Sequence, residues 1–128
     1  MHADNAFPEA PFPKERRIRS KADFERLREC RKKVSTKHFV FILGSNDFGF
    51  ARLGVIASKK TFPTAVARNR VKRLCRDVFR RTGGPSGLDL LVIAKSGADD
   101  LQSNDVAKEW SRARPSIEQQ LHSTNSPL

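Results

Sequence analysis

An α+β sandwich, one β-sheet with helices packed against it, is the fold that this sequence predicts. Three observations carry the prediction. Lys37 to Leu43 (KHFVFIL) and Leu88 to Ala94 (LDLLVIA) are dense in β-branched, aromatic and other apolar side chains, as strands are. Between them, Ala65 to Arg81 repeats its apolar positions with a helical period. The chain has 128 residues and 38% hydrophobic content, enough for one core and not for two.

The elements run in the order helix, strands, helix, strand, helix. Met1 to Pro13 carries three prolines and is expected to be a flexible N-terminal tail, with the folded domain at 14–120 and a flexible C-terminal tail at 121–128. Ser20 to Glu29 reads as a first helix. Ser20 caps it, Asp23 stands where a capping box places an acidic or amide group, and Phe24 and Leu27 give an apolar edge. Arg31 to Ser35 is a candidate short strand, and Lys37 to Leu43 a longer one. Gly44-Ser45-Asn46-Asp47 is turn chemistry. Phe48 to Ser58 then resumes as a strand, with Ala51, Leu53, Val55 and Ala57 facing one way. Gly83-Gly84-Pro85 ends the helix Ala65 to Arg81. Leu88 to Ala94 is nearly all apolar, as a buried strand is. The last helix begins at Ser103 or Asn104. Val106, Trp110, Ala113 and Ile117 keep its period, and Pro115 is expected to break or kink it.

Charge narrows the partner. Lys and Arg number 25 against 14 Asp and Glu, a net charge of +11. Residues 14–81 hold 21 of those cations and 6 of the acids, while the rest of the chain holds 4 and 8. Such an excess points to a polyanion or an anionic membrane surface. No apolar run approaches the roughly 20 residues that cross a bilayer, and Met1 to Pro13 lacks the basic and apolar regions of a signal peptide, so a cytoplasmic protein is expected. Cys30 and Cys75 show no metal-ligand or disulfide-framework spacing, and Cys75 reads as a small core residue.

Protein-based catalysis has no visible machinery. His2 and His122 fall in the tails, and His38 stands alone on a strand. Asp99 and Asp100 adjoin each other beside Gly97, more like a polar loop than a metal site. No serine or cysteine has a base at motif spacing. Neither catalytic residues nor a bound metal or cofactor is expected of this chain.

The helix Ala65 to Arg81 holds the most specific signal. Val71, Leu74, Cys75 and Val78 form one apolar stripe. Asn69, Lys72, Arg73, Arg76 and Arg80 fall on the opposite face, flanked by Arg68 and Arg70. Like charges one turn apart repel by about 0.2–0.5 kcal/mol per pair, and Asp77 is the one acid placed to relieve Arg73. A polyanion turns that repulsion into attraction. Arginine suits bidentate contact with phosphate, and Asn69 suits a base edge, a 2′-hydroxyl or a phosphate. Lys59 and Lys60 extend the basic surface toward the helix N-terminus. A solvated helix face usually mixes signs. A DNA-reading helix would follow another helix and a tight turn, whereas here a strand precedes it. A generic structural RNA-binding protein of the ribosome shares the basic α/β make-up and remains an alternative.

These residues resemble a known signature. Leu53-Gly54-Val55, Ser58-Lys59-Lys60, Ala65-Val66, Arg68-Asn69-Arg70-Val71-Lys72-Arg73-Leu74 and Arg76-Asp77-Val78-Phe79-Arg80 are similar to the bacterial ribonuclease P protein subunit. The resemblance extends from about Arg17, through Asp89 and Ile93, into the Trp110 helix. It implies an α-β-β-β-α-β-α sandwich with a central four-stranded sheet and a left-handed crossover, a ribosomal protein S5 domain 2-like fold. That hand runs against the general rule for parallel crossovers. It also implies a subunit of an endoribonuclease that removes the 5′ leader of precursor tRNA. The catalytic site would lie in the RNA subunit, which uses Mg2+. The implied partners are ribonuclease P RNA and precursor tRNA, with no DNA and no membrane. Arg68, Asn69, Arg70, Lys72, Arg73, Arg76 and Arg80 are implied RNA contacts, assisted by Lys59 and Lys60. Phe24 matches the aromatic that lines a leader cleft between the first helix and the sheet. The chain departs from the pattern at Arg28, where a second aromatic is frequent, and at Arg31, where a glycine is common. Both departures are expected to shift leader binding from stacking toward phosphate contact. Phe62 and Pro63 stand where some members carry a glycine.

Overall fold

The computed structural model describes residues 14–30 and 32–122, the side chains of Lys14 and His122 excepted. A short 3-10 turn, Lys14–Arg16, leads into α1 (Lys21–Arg28), β1 (Lys33–Ser35), β2 (Phe39–Ser45), β3 (Arg52–Ile56), α2 (Ala65–Thr82), β4 (Leu88–Ala94) and α3 (Ser103–His122). The four strands form one sheet in the order β1-β2-β4-β3. β1, β2 and β4 pair antiparallel, and β3 runs parallel to β4, so α2 is the crossover between neighbouring strands. Helices and strands thus alternate as the α-β-β-β-α-β-α order requires.

Strand alternation gives the sheet two unequal faces. One carries Phe39, Phe41 and Leu43 of β2, Leu53 and Val55 of β3, and Leu88, Leu90 and Val92 of β4. The stripes of α2 and α3 cover it. Val71, Cys75, Val78 and Phe79 come from α2, and Val106, Trp110, Ala113 and Ile117 from α3. Leu74, expected in the α2 stripe, is only partly buried, and Phe79 takes the remaining core position. The Trp110 ring packs 5.7 Å from Phe41 and 5.8 Å from Phe79. Each large side chain buried this way contributes about 1.5–3 kcal/mol before entropic costs, so this face holds the fold together.

The other face is covered by α1 and by Ile18 of the segment that precedes it. Leu27 packs with Ile18, Ile42 and Leu91, while Phe24, Val40, Ile56 and Ile93 are only partly buried. Ser20 caps α1, its hydroxyl accepting from the Asp23 amide at 3.3 Å. Asp23 itself turns to Arg26 and Arg52 rather than completing a capping box. Thr64 caps α2 in the same way, accepting from the Ala67 amide at 3.1 Å.

Four expectations shift. β2 starts two residues later than Lys37 and takes in Gly44 and Ser45, which pair with Asp89 and Leu88. A Cβ at Gly44 would stand 2.9 Å from Leu27 Cδ2, so the glycine serves close approach of α1 to the strand and not a turn. The turn begins at Asn46, whose side chain accepts from the Phe48 amide at 2.9 Å, and β3 is confined to Arg52–Ile56. Pro115 lies inside an unbroken α3. It and Ser111, whose carbonyl loses a helical donor, are both exposed, so the missing bond lies on the solvent side. α3 then runs past residue 120, because Leu121 continues the Ile117 stripe and is 8% exposed. The expected N-terminal tail lies outside the described residues.

β4 carries one charge into the sheet. Asp89 is 0% exposed. Its carboxylate accepts from Arg52 Nε at 2.8 Å and Nη2 at 2.7 Å, from Arg26 Nη2 at 2.8 Å and from Asn46 Nδ2 at 2.7 Å. Burial by itself would raise the Asp89 pKa, but the hydrogen bonds from Arg52, Asn46 and Arg26 outweigh it and hold the carboxyl below its ordinary range. A depressed native pKa stabilises the fold fully above the unfolded value of about 4, and that contribution is lost as pH falls through the native pKa. Asp89→Asn is therefore expected to cost about 3 kcal/mol at pH 7, by leaving Arg52 without its partner charge. It should cost much less at pH 2–3. Urea unfolding of both proteins at the two pH values checks this.

Candidate nucleic-acid interface

Burying the Val71–Phe79 stripe turns the other side of α2 outward. A second element completes the surface there. Arg17 bridges to Leu53 along the outer edge of β3, and the Ile18 amide donates to the Leu53 carbonyl at 2.8 Å. This brings Arg17 beside α2, and Asn69, Lys72, Arg73, Arg76 and Arg80, with Asp77 as the one acid, line one concavity with it. Burial lowers the Arg76 pKa, and the charge of Arg17 lowers it further. A bound anion would offset both effects. Asp77 does not relieve Arg73 as expected. It pairs with Arg80 and, at 3.0 Å, with Arg81, one helical turn nearer the C-terminus.

Two of the expected contacts are engaged elsewhere. The Arg68 guanidinium donates to the carbonyls of Phe62 and Pro63 at 2.9 and 3.0 Å, bracing the turn that enters α2. Arg70 donates to the carbonyls of Asp99 and Leu101, both at 2.8 Å, and pins α2 to the 3-10 turn Ala98–Asp100. Lys59 and Lys60 are exposed in the turn after β3 and do not line the concavity. Phe62, beside them, is buried in the main core.

The open half of the second sheet face forms a separate surface. Val40, Ile56 and Ile93 make a partly exposed apolar floor, and Phe24 of α1 stands at its edge. A Cβ on Gly54 would lie 3.0 Å from the Phe24 ring, so this glycine lets the ring rest on the sheet. Arg28 is exposed on α1, and Arg31 lies outside the described residues.

His38, Glu109 and Cys75 hold structural positions. His38 is not alone, as expected from sequence. Its Nδ1 lies 2.5 Å from Glu109 of α3, a buried carboxylate that also accepts from the Thr36 hydroxyl and the His38 amide. Burial would raise the Glu109 pKa, but these bonds hold it below its usual range. The cluster ties the β1–β2 connection to α3. Burial pushes the Cys75 thiol up to about 12, which removes it as a nucleophile at neutral pH. Among the described residues, no group of three His, Cys, Asp or Glu side chains could hold a metal ion.

Sequence reasoning missed the Asp89–Arg52–Arg26 network and the contribution of Arg17. A lone aspartate within LDLLVIA was the available signal, because a charge in a buried strand demands partners. For Arg17 the sequence held no signal, since its place depends on pairing with β3.

The family model for Ribonuclease P matches residues 12–118. The chain belongs to the ribonuclease P protein family. It is 42% identical over 86 residues to the ribonuclease P protein component of Legionella pneumophila (strain Lens), covering 67% of this chain and 75% of that one. It is 34% identical over 113 residues to that of Marinobacter nauticus, covering 84% and 86%. The ribonuclease P protein of Staphylococcus aureus superposes with a TM-score of 0.65 at 30% identity, covering 76% of this chain and 90% of that one. That of Thermotoga maritima gives a TM-score of 0.69 at 26% identity, covering 77% and 94%. The chain is thus the protein subunit of ribonuclease P, a tRNA-processing endoribonuclease, and its partner is ribonuclease P RNA. The generic ribosomal alternative is not favoured. No described helix is long and apolar enough to cross a membrane.

The arginines of α2 therefore divide by geometry into braces and outward groups. Arg70→Ala is expected to cost about 1–2 kcal/mol of stability, since two buried-side carbonyls lose their donor. Arg73→Ala, on the exposed face, should change stability by less than about 0.5 kcal/mol. Chemical denaturation of the two variants separates the roles.

Proposed function

We propose that the outward face of α2 binds ribonuclease P RNA and that the open half of the opposite sheet face binds the single-stranded 5′ leader of precursor tRNA. The observation that carries the first part is the convergence of Arg17 from the β3 edge with Asn69, Lys72, Arg73, Arg76 and Arg80, where burial and a neighbouring cation both act against the charge of Arg76. RNA phosphates supply counter-charge to Lys72, Arg73 and Arg76, and Asn69 adds a group able to donate and accept. Arg68 and Arg70 contribute mainly by holding the helix, with their remaining N–H groups directed to RNA at its first turns.

On the leader side, Val40, Ile56 and Ile93 offer an apolar floor for bases, with Phe24 at the rim. Base stacking on such a surface contributes about 1–3 kcal/mol per base and tolerates varied sequence, which suits a leader. Arg28 supplies a cation on α1 for the leader backbone, and Arg31 is assigned the same role from its place in the sequence. Lys59 and Lys60, exposed in the turn that follows β3, add cations that assist RNA binding.

No side chain of this chain acts on the scissile phosphate in this reading. The RNA subunit with Mg2+ performs the cut, and the protein neutralises charge and orients precursor tRNA in the cytoplasm. DNA is not a partner. The experiment is cleavage of precursor tRNA at low Mg2+ by a bacterial ribonuclease P RNA, with and without this protein. The protein alone should be inert, and adding it to the RNA should restore accurate 5′ cleavage. Val40→Asp should weaken holoenzyme binding of a long-leader precursor by about tenfold or more, and leave a leaderless tRNA unaffected, if one stacked base is lost. Cleavage by the protein alone, or equal loss with both tRNAs, contradicts the assignment.

A further inference from the structure

At the Arg52 end of β3 the connection from β2 exposes an aromatic that the two surfaces above leave unused. Phe48 is 57% exposed. Its ring lies 5.6 Å from Phe50 at an interplanar angle of 30°. The guanidinium of Arg52 sits 4.5 Å from the Phe48 ring centroid, and that of Arg16 sits 4.3 Å from the Phe50 centroid. Two tilted rings and two guanidinium groups thus meet here, with Phe48 the exposed member.

This cluster is held in place from below. Asn46 Nδ2 donates to the Phe50 carbonyl at 3.2 Å and to Asp89, while its Oδ1 accepts from the Phe48 amide. Arg52, over the Phe48 ring, is itself fixed by two bonds to Asp89. The rings are therefore preorganised, which lowers the entropic cost of binding to them. A single exposed apolar side chain is ordinary. One stacked with arginine and anchored to a buried carboxylate suits a flat π-ligand with negative charge nearby, which describes a nucleotide.

Position selects the source of that nucleotide. Arg17 lines the hollow in front of Phe48 and Phe50 and also lines the basic concavity of α2. The two surfaces are continuous through this residue; Arg19 adds a further cation on the Phe48 side, where Glu15 and Asp23 also line the hollow, Asp23 being paired with Arg26 and Arg52. The proposed leader floor lies around Ile56 and Ile93, at the other end of the strands. We propose that Phe48 stacks an unpaired nucleobase of ribonuclease P RNA, extending the α2 interface around Arg17. This rests on the α2 reading given above.

Three variants of the full chain test it: Phe48→Ala, Phe48→Trp and Arg73→Ala, each titrated with ribonuclease P RNA at fixed salt. Loss of one stacked base predicts roughly 5- to 140-fold weaker RNA binding for Phe48→Ala. Phe48→Trp should bind within about threefold of wild type, by the sequence-tolerant stacking of any aromatic. Its emission should be quenched on adding RNA. The native chain has one tryptophan, Trp110, which is buried at 4% exposure and should respond little. If Phe48→Ala binds normally while Arg73→Ala is weakened, the stacking proposal fails and the α2 reading stands. Should both bind normally, the α2 reading fails with it. Normal RNA binding by Phe48→Ala with weakened binding of precursor tRNA to the holoenzyme overturns the choice of RNA subunit as the occupant.

Discussion

Asp89 places a full negative charge inside a four-stranded sheet, where an unpaired carboxylate could not persist. Three donors converge on it, and each has a consequence at the surface. Arg26 ties α1 to the sheet, which sets how much of the second face α1 covers. Arg52 is held across the start of β3, flat enough to carry the Phe48 ring. Asn46 closes the turn that lifts Phe48 and Phe50 out of the strand. Removing the charge would loosen a helix, a turn and an aromatic cluster together, although none of them adjoins Asp89 in sequence.

A second constraint acts on α2. The helix carries many more cations than its one aspartate can balance, and the fold sorts them. Arg68 and Arg70 give their guanidinium groups to backbone carbonyls at the helix entry, and Arg80 and Arg81 share Asp77 near its end. Between these, Asn69, Lys72, Arg73 and Arg76 face outward, and Arg17 arrives from another part of the chain to raise the local charge further. Repulsion of this kind is stable only because the Val71–Phe79 stripe anchors the helix to the main core. Hydrophobic burial on one side of α2 thus supports a charge density on the other that an anionic partner resolves.

Periodicity made much of this legible in advance. Alternation at Ala51, Leu53, Val55 and Ala57 gave the buried side of β3, all four being buried in the main core. The apolar run at Leu88 to Ala94 coincides with β4, and the basic face of α2 assembles as its spacing indicates. What failed were local rules overridden by tertiary contact. Gly44 looked like a turn residue, but its missing side chain is needed where Leu27 crosses β2. Pro115 is expected to break or kink the last helix, yet α3 runs through it unbroken, its lost bond falling on an exposed side. His38 looked isolated because Glu109 lies 71 residues away in sequence. Arg70 also braces α2 against the Asp99 and Leu101 carbonyls, a role that periodicity does not report, because it gives the face of a helix and not which backbone carbonyls lie within reach.

In the function proposed above, the outward side of α2 and the open half of the far sheet face serve two different RNA strands. Site-directed hydroxyl-radical cleavage in the assembled holoenzyme tests it most directly. Iron chelates would be attached at Lys72→Cys on α2 and at Arg28→Cys on α1, in a Cys30→Ala background, with the buried Cys75 left in place. The account predicts that the probe at residue 72 cuts ribonuclease P RNA and spares the leader, while the probe at residue 28 cuts the 5′ leader of bound precursor tRNA. Cuts in the same strand from both probes, or leader cuts from residue 72, would contradict it.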